Sequence, residues 1–123
     1  MAKKKRLTTK SKIWIEDLDG NVVFGSGRLK IFKAIQRTGS INAAAKELKI
    51  GYRAVWARIT ATEQRLGQKL LIKQSGGSSG GGSQLTPLAE ELMEKYEKIQ
   101  KIVEKETDQQ FTNELGTLLP IKN

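Results

Sequence analysis

Apolar side chains recur at helical spacing in three consecutive segments of the chain. In the middle segment they fall at i, i+3, i+4 and i+7, the spacing of one buried stripe on a helix: Ile41, Ala44, Ala45 and Leu48. Residues 28–37 and 52–66, on either side, show the same kind of spacing. Gly39 and Gly67 follow these two segments, and glycine is the usual residue beyond a helix end. We therefore predict three short helices, with Ser40 as the N-cap of the second.

A β-hairpin is predicted before the first helix. Two short apolar segments, containing Ile15 and Phe24, flank the pair Asp19-Gly20. This pair is a strong turn signal because glycine takes positive φ freely and aspartate tolerates it. With a two-residue loop, Ile15 faces Phe24 across the ladder.

A second hairpin with a glycine-rich tip is predicted after the third helix. The apolar run 70–72 predicts a strand, and residues 75–83 contain five glycines among nine positions. This composition is typical of a flexible linker, but a second strand at 84–86 makes it fit the mobile tip of a two-stranded wing. Pro87 then lies in the first turn of another helix, with Thr86 as its N-cap.

The last predicted helix is longer than a small domain needs for its own core. It runs to about residue 110, and its roughly 24 residues extend ~36 Å. Apolar side chains continue down one side of it: Leu88, Leu92, Tyr96, Ile99 and Val103. We expect this stripe to form the interface of a two-fold homodimer. The alternative is a monomer whose last helix folds back on its own core.

Together the elements predict a mainly α fold with small β-sheets. The fold is a winged helix-turn-helix with an N-terminal β-hairpin and a long C-terminal dimerisation helix. We assign residues 12–110 to this domain, residues 1–11 to a flexible basic arm and residues 111–123 to a C-terminal tail. In a helix-turn-helix the second helix enters the major groove of DNA, so double-stranded DNA is the predicted partner.

Ten residues are candidates for contact with DNA, because they lie on the outer face of the third helix, beside the turn or in the wing. They are Ser40, Gly51, Tyr52, Arg53, Trp56, Ala57, Arg58, Thr60, Lys73 and Gln74. Arg53 is the best candidate for base reading, since a guanidinium bonds O6 and N7 of guanine together. Arg58 and the wing residues are expected to contact phosphate. The inner face of the third helix is predicted to comprise Val55, Ile59, Thr62 and Leu66.

Several of these assignments have a simpler alternative. The charge of Arg53 is equally consistent with a solvated or phosphate-bound side chain. Trp56 fits a core position as well as contact with a thymine methyl or a sugar. Ser40 could donate a hydrogen bond to a phosphate from the N-terminus of its helix, but its role as an N-cap is enough to explain a serine there. The basic arm fits a disordered solubility tail as well as a segment that follows the DNA backbone.

The charge distribution is compatible with a polyanionic partner. The chain carries 22 basic and 13 acidic residues, a net charge of +9. Residues 28–73 contain eleven basic and two acidic side chains, whereas residues 88–108 contain four basic and seven acidic ones. The positive field of the first two thirds attracts phosphates, whose contacts release counterions. A soluble basic surface without a partner explains the same numbers.

The composition argues against an enzyme. The chain has no Cys and no His, which removes disulfides, thiol nucleophiles, the commonest general base and the commonest transition-metal ligand. No catalytic site, metal or cofactor is therefore expected. The apolar runs are shorter than the ~20 residues that cross a bilayer, and no signal core follows the basic N-terminus. We expect no membrane partner and a cytoplasmic location.

The order and spacing of several motifs resemble a known family. They are similar to the N-terminal DNA-binding domain of the molybdate-responsive ModE regulators, which is related to the LysR-type winged helix. The resemblance covers residues 12–110 and rests on Val23 to Arg28, Thr38 to Ile41, Ala43 to Ala45, Gly51 to Trp56, Leu66-Gly67, Gly76 to Gly82 and Gln84 to Thr86. It implies a winged helix that dimerises through its long helix and binds a roughly palindromic operator. Related LysR-type proteins commonly carry Ser where this chain has Gly51. A contact between a serine hydroxyl and DNA at this position therefore has no counterpart in this chain.

Full-length ModE-type regulators continue into C-terminal oxyanion-binding domains, whereas this sequence ends at Asn123. We therefore expect no small-molecule effector within this chain and do not carry over the molybdate-sensing role. The leading hypothesis is a sequence-specific transcriptional regulator. The alternatives are a sequence-independent architectural DNA-binding protein and an interaction module whose long helix docks another protein.

Overall fold

The computed structural model describes residues 5–74 and 82–122, which form four helices and four strands. In chain order these are β1 (Ile15–Glu16), β2 (Val22–Phe24), α1 (Ser26–Thr38), α2 (Ile41–Leu48), α3 (Tyr52–Leu66), β3 (Leu71–Gln74), β4 (Gly82–Leu85) and α4 (Pro87–Leu115). β1 pairs with β2 and β3 pairs with β4, both antiparallel. The predicted fold class, with an N-terminal hairpin, a helix-turn-helix, a wing and a long last helix, is confirmed.

The chain divides into two compact units. The winged-helix unit is Trp14–Tyr96, and the terminal unit combines Met1–Ile13 with Glu97–Asn123. None of the helices in the described part of either unit is long and apolar enough to cross a membrane.

In the terminal unit, the N-terminal segment is tied to the C-terminal one. Leu7 forms a parallel bridge with Ile121, supported by two backbone hydrogen bonds of 2.6 Å. The side chain of Gln100 accepts from the Ile13 N–H and donates to the Ser11 carbonyl, both at 2.9 Å. The predicted flexible arm is therefore wrong at Leu7 and Ser11, because hydrogen bonds hold both residues.

The β1–β2 hairpin has the predicted register but a different loop. Ile15 pairs with Phe24 as predicted. The loop contains three residues rather than two and ends at Gly20, where φ is +86°. The carboxylate of Asp17, the residue before the loop, accepts two backbone N–H hydrogen bonds of 2.9 Å. A bulge between Ile15 and Glu16 takes up the register change, so Phe24 keeps its partner.

Two helix boundaries differ from the prediction, whereas α3 has the predicted bounds. α1 begins at Ser26, two residues before the predicted start, with Gly25 as its N-cap. A Cβ on Gly25 would lie 3.1 Å from the Cβ of Trp14, so the absence of a side chain allows this close approach. α4 continues to Leu115. Leu66 is exposed rather than part of the inner face, because it is the last residue of α3.

The core of the winged-helix unit contains an aromatic trio. The ring centroid of Phe24 lies 5.9 Å from that of Phe32 and 5.2 Å from that of Tyr96, the second pair meeting edge to face. Aromatic pairs in such geometry stabilise the fold beyond the contribution of the apolar area that they bury. Further buried side chains come from α1, α3, α4 and the segment before β3: Ile31, Ile35, Val55, Ile59, Leu70 and Met93. The elements that support α3 therefore contribute to one core.

Two polar side chains of α3 attach both hairpins to it. Thr62 is fully buried, and its hydroxyl donates to the Val23 carbonyl in β2 at 2.7 Å. The carboxylate of Glu63 accepts from the N–H groups of Leu70 and Leu71 at 2.8 and 3.2 Å. The base of the wing is thus fixed to the same helix that is the candidate for DNA reading.

Candidate nucleic-acid interface

The start of the helix-turn-helix is the cap of α2. The Oγ of Ser40 accepts from the Ala43 N–H at 2.9 Å, which confirms the predicted N-cap. The cap uses an acceptor lone pair of the hydroxyl, so its proton can still be donated to a phosphate.

The turn between α2 and α3 depends on a left-handed lysine and not on the neighbouring Gly51. Lys49 has φ +56° and ψ 41°, in the left-handed region, which is unfavourable for a residue with a side chain. The N–H of Ile50 donates to the Ala45 carbonyl at 3.0 Å and closes the turn. Gly51 has φ −61° and ψ 142°, a conformation open to any residue. No local signal in the sequence marks Lys49.

Most of the predicted reading face is present on α3. Val55 and Ile59 are buried, so the opposite side of the helix is turned outward. Four predicted residues lie on that side in the first two turns, and all are exposed: Tyr52, Arg53, Trp56 and Ala57. The exposed fractions of Tyr52 and Trp56 are 43% and 39%. The alternative that Trp56 is a core residue is therefore wrong.

The two other predicted residues of α3 have different surroundings from these four. The hydroxyl oxygen of Thr60 is buried and has no hydrogen-bond partner within the described ranges, so it cannot reach a ligand from its present position. Arg58 follows Trp56 by two residues, which places it about 160° away around the helix axis. It interacts electrostatically with Arg28 of α1 instead. Thr60 therefore follows Trp56 by about one turn but does not present its hydroxyl, and the predicted phosphate contact of Arg58 stays a prediction.

The wing reaches the exposed face of α3 through Lys73. Its ammonium lies 4.4 Å from the centroid of the Trp56 ring, a cation–π contact. On the other strand of the wing, the N–H of Ser83 donates to the Gly39 carbonyl at 2.8 Å. A Cβ on Gly82 would lie 2.9 Å from that same carbonyl oxygen. The end of β4 nearest the tip of the wing is thus fixed beside the turn that follows α1.

The tip of the wing, residues 75–81, lies outside the described residues. Of Gln74 only the backbone is described, and it pairs with Gly82. The predicted contacts of the glycine-rich tip and of the Gln74 side chain therefore stay predictions.

The apolar residues of α4 include the core stripe as well as exposed positions. The core stripe of the winged-helix unit follows i, i+4 and i+7: Ala89, Met93 and Tyr96. Tyr96 is 3% exposed and contacts Phe24, so its assignment to a dimer interface is wrong. The apolar periodicity of the sequence alone could not separate this buried stripe from the adjacent stripe that was predicted as the dimer interface. Among the other predicted interface residues, Leu88 and Ile99 are exposed, and Leu92 and Val103 are half-buried.

Comparison with known proteins identifies the family. The model of the bacterial regulatory helix-turn-helix proteins of the lysR family matches residues 27–90, which is more than half of the chain. The chain belongs to this lysR family. The match begins in α1, includes the whole helix-turn-helix and the wing, and ends in the first turn of α4.

Among curated proteins, this lysR-family chain is similar to a transcriptional regulator and to a molybdenum-pterin-binding protein. It is 38% identical over 77 residues to the transcriptional regulator ModE of Haemophilus influenzae, covering 63% of this chain and 30% of that protein. It is 40% identical over 81 residues to the molybdenum-pterin-binding protein MopB of Rhodobacter capsulatus, covering 66% and 30%. The chain thus spans less than a third of the length of these relatives. The resemblance to ModE regulators predicted from the sequence is confirmed.

The fold is also similar to solved lysR-type structures. A crystal structure of the CbnR_DBD–DNA complex superposes with a TM-score of 0.53 at 25% identity, covering 71% of this chain and 94% of that one. The family and the fold are those of DNA-binding transcriptional regulators.

Proposed function

We propose that this chain binds double-stranded DNA in a sequence-specific manner and regulates transcription. The first two turns of α3 enter the major groove. The proposal rests above all on the exposed side of α3, where two aromatic residues and Arg53 lie together beside Lys73 of the wing. The similarity to the regulator ModE and to the CbnR_DBD–DNA complex supports the same function.

Arg53 is the proposed base reader. Its side chain is exposed and makes no hydrogen bond or ion pair within residues 5–74 and 82–122. All five of its N–H donors are therefore available, and bidentate bonding to guanine discriminates against other bases by ~1–3 kcal/mol. Arg37 provides the contrast, because it forms an ion pair with Glu47.

Ser40 and Lys73 are the proposed phosphate contacts. The hydroxyl of Ser40 lies at the N-terminus of α2, where N–H groups and the helix dipole favour an anion. The ammonium of Lys73 lies beside Trp56 and interacts with a phosphate as a point charge. Such contacts set the register of α3 on the duplex without reading sequence.

The proposal includes a homodimer formed through α4. Ile99 and Ile102 are 50% and 58% exposed, so each leaves apolar area for a second copy to cover. Two-fold symmetry is the commonest arrangement in homo-oligomers. A two-fold dimer would place its two α3 helices ~34 Å apart, or a multiple of that distance, and would require a palindromic operator.

On this proposal the protein acts by binding DNA and not by catalysis, and it does so in the cytoplasm. No group of three or more acidic side chains that could hold a metal ion occurs in the described ranges.

Selection of bound sequences from random duplex DNA tests the proposal. We expect a palindromic consensus. Arg53→Ala should then weaken binding to that site by ~1–3 kcal/mol per half-site and abolish the base preference at one position of each half-site. Lys73→Ala is the matched removal of a positive charge. It should weaken binding to all sequences alike and reduce the salt slope by about two, one for each protomer of the dimer.

Two results would contradict the proposal. Fluorescence anisotropy that stays flat with labelled duplexes at modest salt would exclude DNA binding. Binding without a consensus, with equal losses on every sequence from Arg53→Ala, would indicate a sequence-independent architectural protein.

A further inference from the structure

The wing contains a single charged side chain. Lys73 is the one charged residue at positions 70–86, and the segment that follows it up to Ser83 consists of glutamine, serine and glycine. Phosphate contacts of a protein depend on positive charge, so the electrostatic attraction between the wing and a DNA backbone depends on where one ammonium group lies. The position of this group therefore decides how the wing meets a phosphate.

The backbone of Lys73 is fixed from the other strand of the wing. Lys73 pairs with Ser83 in the β3–β4 ladder, and the N–H of Ser83 donates to the Gly39 carbonyl at 2.8 Å. These contacts fix the Cα of Lys73 but not its ammonium, which is carried on a long and flexible aliphatic stem. An exposed lysine that is held only by its backbone samples many rotamers, and it loses that freedom when it binds a phosphate.

The ring of Trp56 gives the Lys73 side chain a second point of attachment. The ammonium lies 4.4 Å from the centroid of the indole ring. Trp56 follows the fully buried Val55, so the helix that carries the ring is anchored in the core. Within residues 5–74 and 82–122, Lys73 forms no ion pair with an acidic group. The indole ring is therefore the group that holds this ammonium.

The attachment leaves the ammonium available to a phosphate. Lys73 is exposed, and Trp56 is 39% exposed, so the pair lies at the surface of the winged-helix unit. A cation over an aromatic face keeps its charge, and a lysine ammonium has more than one N–H donor. The donors that point away from the ring can bond a phosphate oxygen while the cation–π contact persists.

We propose that Trp56 is a positioning residue that holds the ammonium of Lys73 ready for a phosphate of the duplex. The inference rests on the proposed function, because it requires that the chain binds DNA. Trp56 then raises the affinity through Lys73, and not through a contact of its own with a thymine methyl or a sugar. Its contribution is therefore the same on every sequence.

Trp56→Leu removes the aromatic face and keeps an apolar side chain. The cost of immobilising Lys73 then arises when the duplex binds, and we expect the affinity to fall roughly two- to tenfold for each protomer that contacts DNA. Trp56→Tyr keeps an aromatic face and should retain most of the wild-type affinity. Fluorescence anisotropy with a labelled duplex measures the affinity of each chain, and circular dichroism checks that each is folded.

The decisive measurement is whether the effect of Trp56→Leu depends on Lys73. Lys73→Met removes the charge and keeps the aliphatic stem. In this background Trp56→Leu should cost no further affinity, because a residue that acts only through Lys73 has nothing left to position. Tyr52→Leu is the matched control, since Tyr52 is the other aromatic residue of α3 and is also exposed. Its effect should be equal in the two backgrounds.

Two further measurements separate positioning from direct contact. We expect Trp56→Leu to lose the same factor on the selected consensus, on an unrelated duplex of equal length, and on the consensus with deoxyuridine in place of thymine, which lacks the C5-methyl group. In the free chain, ¹H NMR should show the ε-methylene protons of Lys73 shifted upfield by the indole ring. Trp56→Leu should abolish that shift.

A loss from Trp56→Leu of the same size in the Lys73→Met background would overturn the proposal, because Trp56 would then contact the duplex itself. A loss that disappears on the deoxyuridine duplex would identify that contact as the thymine methyl. The proposal would also be overturned if Trp56→Leu bound as tightly as the wild type.

The wild-type chain alone can refute the inference. Lys73 ε-methylene protons without an upfield shift would remove the contact on which it rests, even if Trp56→Leu did not fold. In all of these cases the wild type still binds DNA, whereas flat anisotropy of the wild type would refute the proposed function as well.

Discussion

Replacement of Gly82 by alanine tests whether the close approach between β4 and the turn after α1 holds the wing in place. The new Cβ would lie 2.9 Å from the carbonyl oxygen of Gly39, shorter than any ordinary carbon–oxygen contact. Both groups belong to the backbone, so neither can rotate away, and the strand has to move by several tenths of an ångström. That movement strains the 2.8 Å hydrogen bond from Ser83 to the same oxygen.

We expect Gly82→Ala to lower the free energy of unfolding by ~1–3 kcal/mol, the usual cost of forcing a side chain into a filled space. Urea unfolding followed by tryptophan fluorescence measures this change. Duplex affinity should fall as well, because the wing would no longer hold Lys73 beside Trp56.

The matched control is Gly27→Ala, in the first turn of α1. A Cβ at that position meets nothing within 4 Å, and alanine is favoured over glycine in a helix by roughly 0.5–1 kcal/mol. We therefore expect the control to be slightly more stable than the wild type. If Gly82→Ala were as stable as the wild type and bound duplex equally well, the inference that this contact fixes the wing would be refuted.

Three further predictions concern the turn, the buried hydroxyl and the long helix. Lys49→Gly should raise the free energy of unfolding by about 0.5–1 kcal/mol in urea titrations, because it removes the penalty of the left-handed conformation at the entropic cost of a glycine; a loss of stability would contradict this. Thr62→Val should lower it by ~1–3 kcal/mol, since a buried carbonyl loses its donor, and Thr62→Ser, which keeps the hydroxyl, should be the milder variant; the reverse order would argue against the hydrogen bond. Leu92→Glu combined with Ile99→Glu should give a monomer with weak operator affinity, and sedimentation that still shows a dimer would refute the α4 interface.

Features determined by local chemistry were predictable from the sequence. The cap at Ser40 and the helix end at Gly39 follow from side-chain and backbone hydrogen bonding within a few residues. The pairing of Ile15 with Phe24 also followed from the hairpin pattern, although the loop and the bulge between them did not. A bulge changes the length of one strand without changing which residues are apolar, so the pattern carries no trace of it.

Features determined by contacts between distant segments were not predictable. In the sequence, Arg58 and Arg65 look like ordinary solvated charges. Only the packing of α1 against α3 brings their charges close enough to act on Arg28. Tyr96 fits the apolar periodicity of two adjacent stripes on α4, and its edge-to-face contact with Phe24 assigns it to the core. For the same reason, nothing in the sequence around Leu7 indicates its bridge to a residue more than a hundred positions away.

The residue pair Gly39-Ser40 connects three elements at once. The Gly39 N–H caps α1, its carbonyl receives β4, and the next side chain caps α2. Displacement of β4 is therefore transmitted directly to both helices. The wing and the helix-turn-helix would approach a duplex as one stiff surface and not as two surfaces that adjust independently. The amides of Gly39, Ala43 and Ser83 should consequently exchange with solvent through one shared opening event, at similar rates.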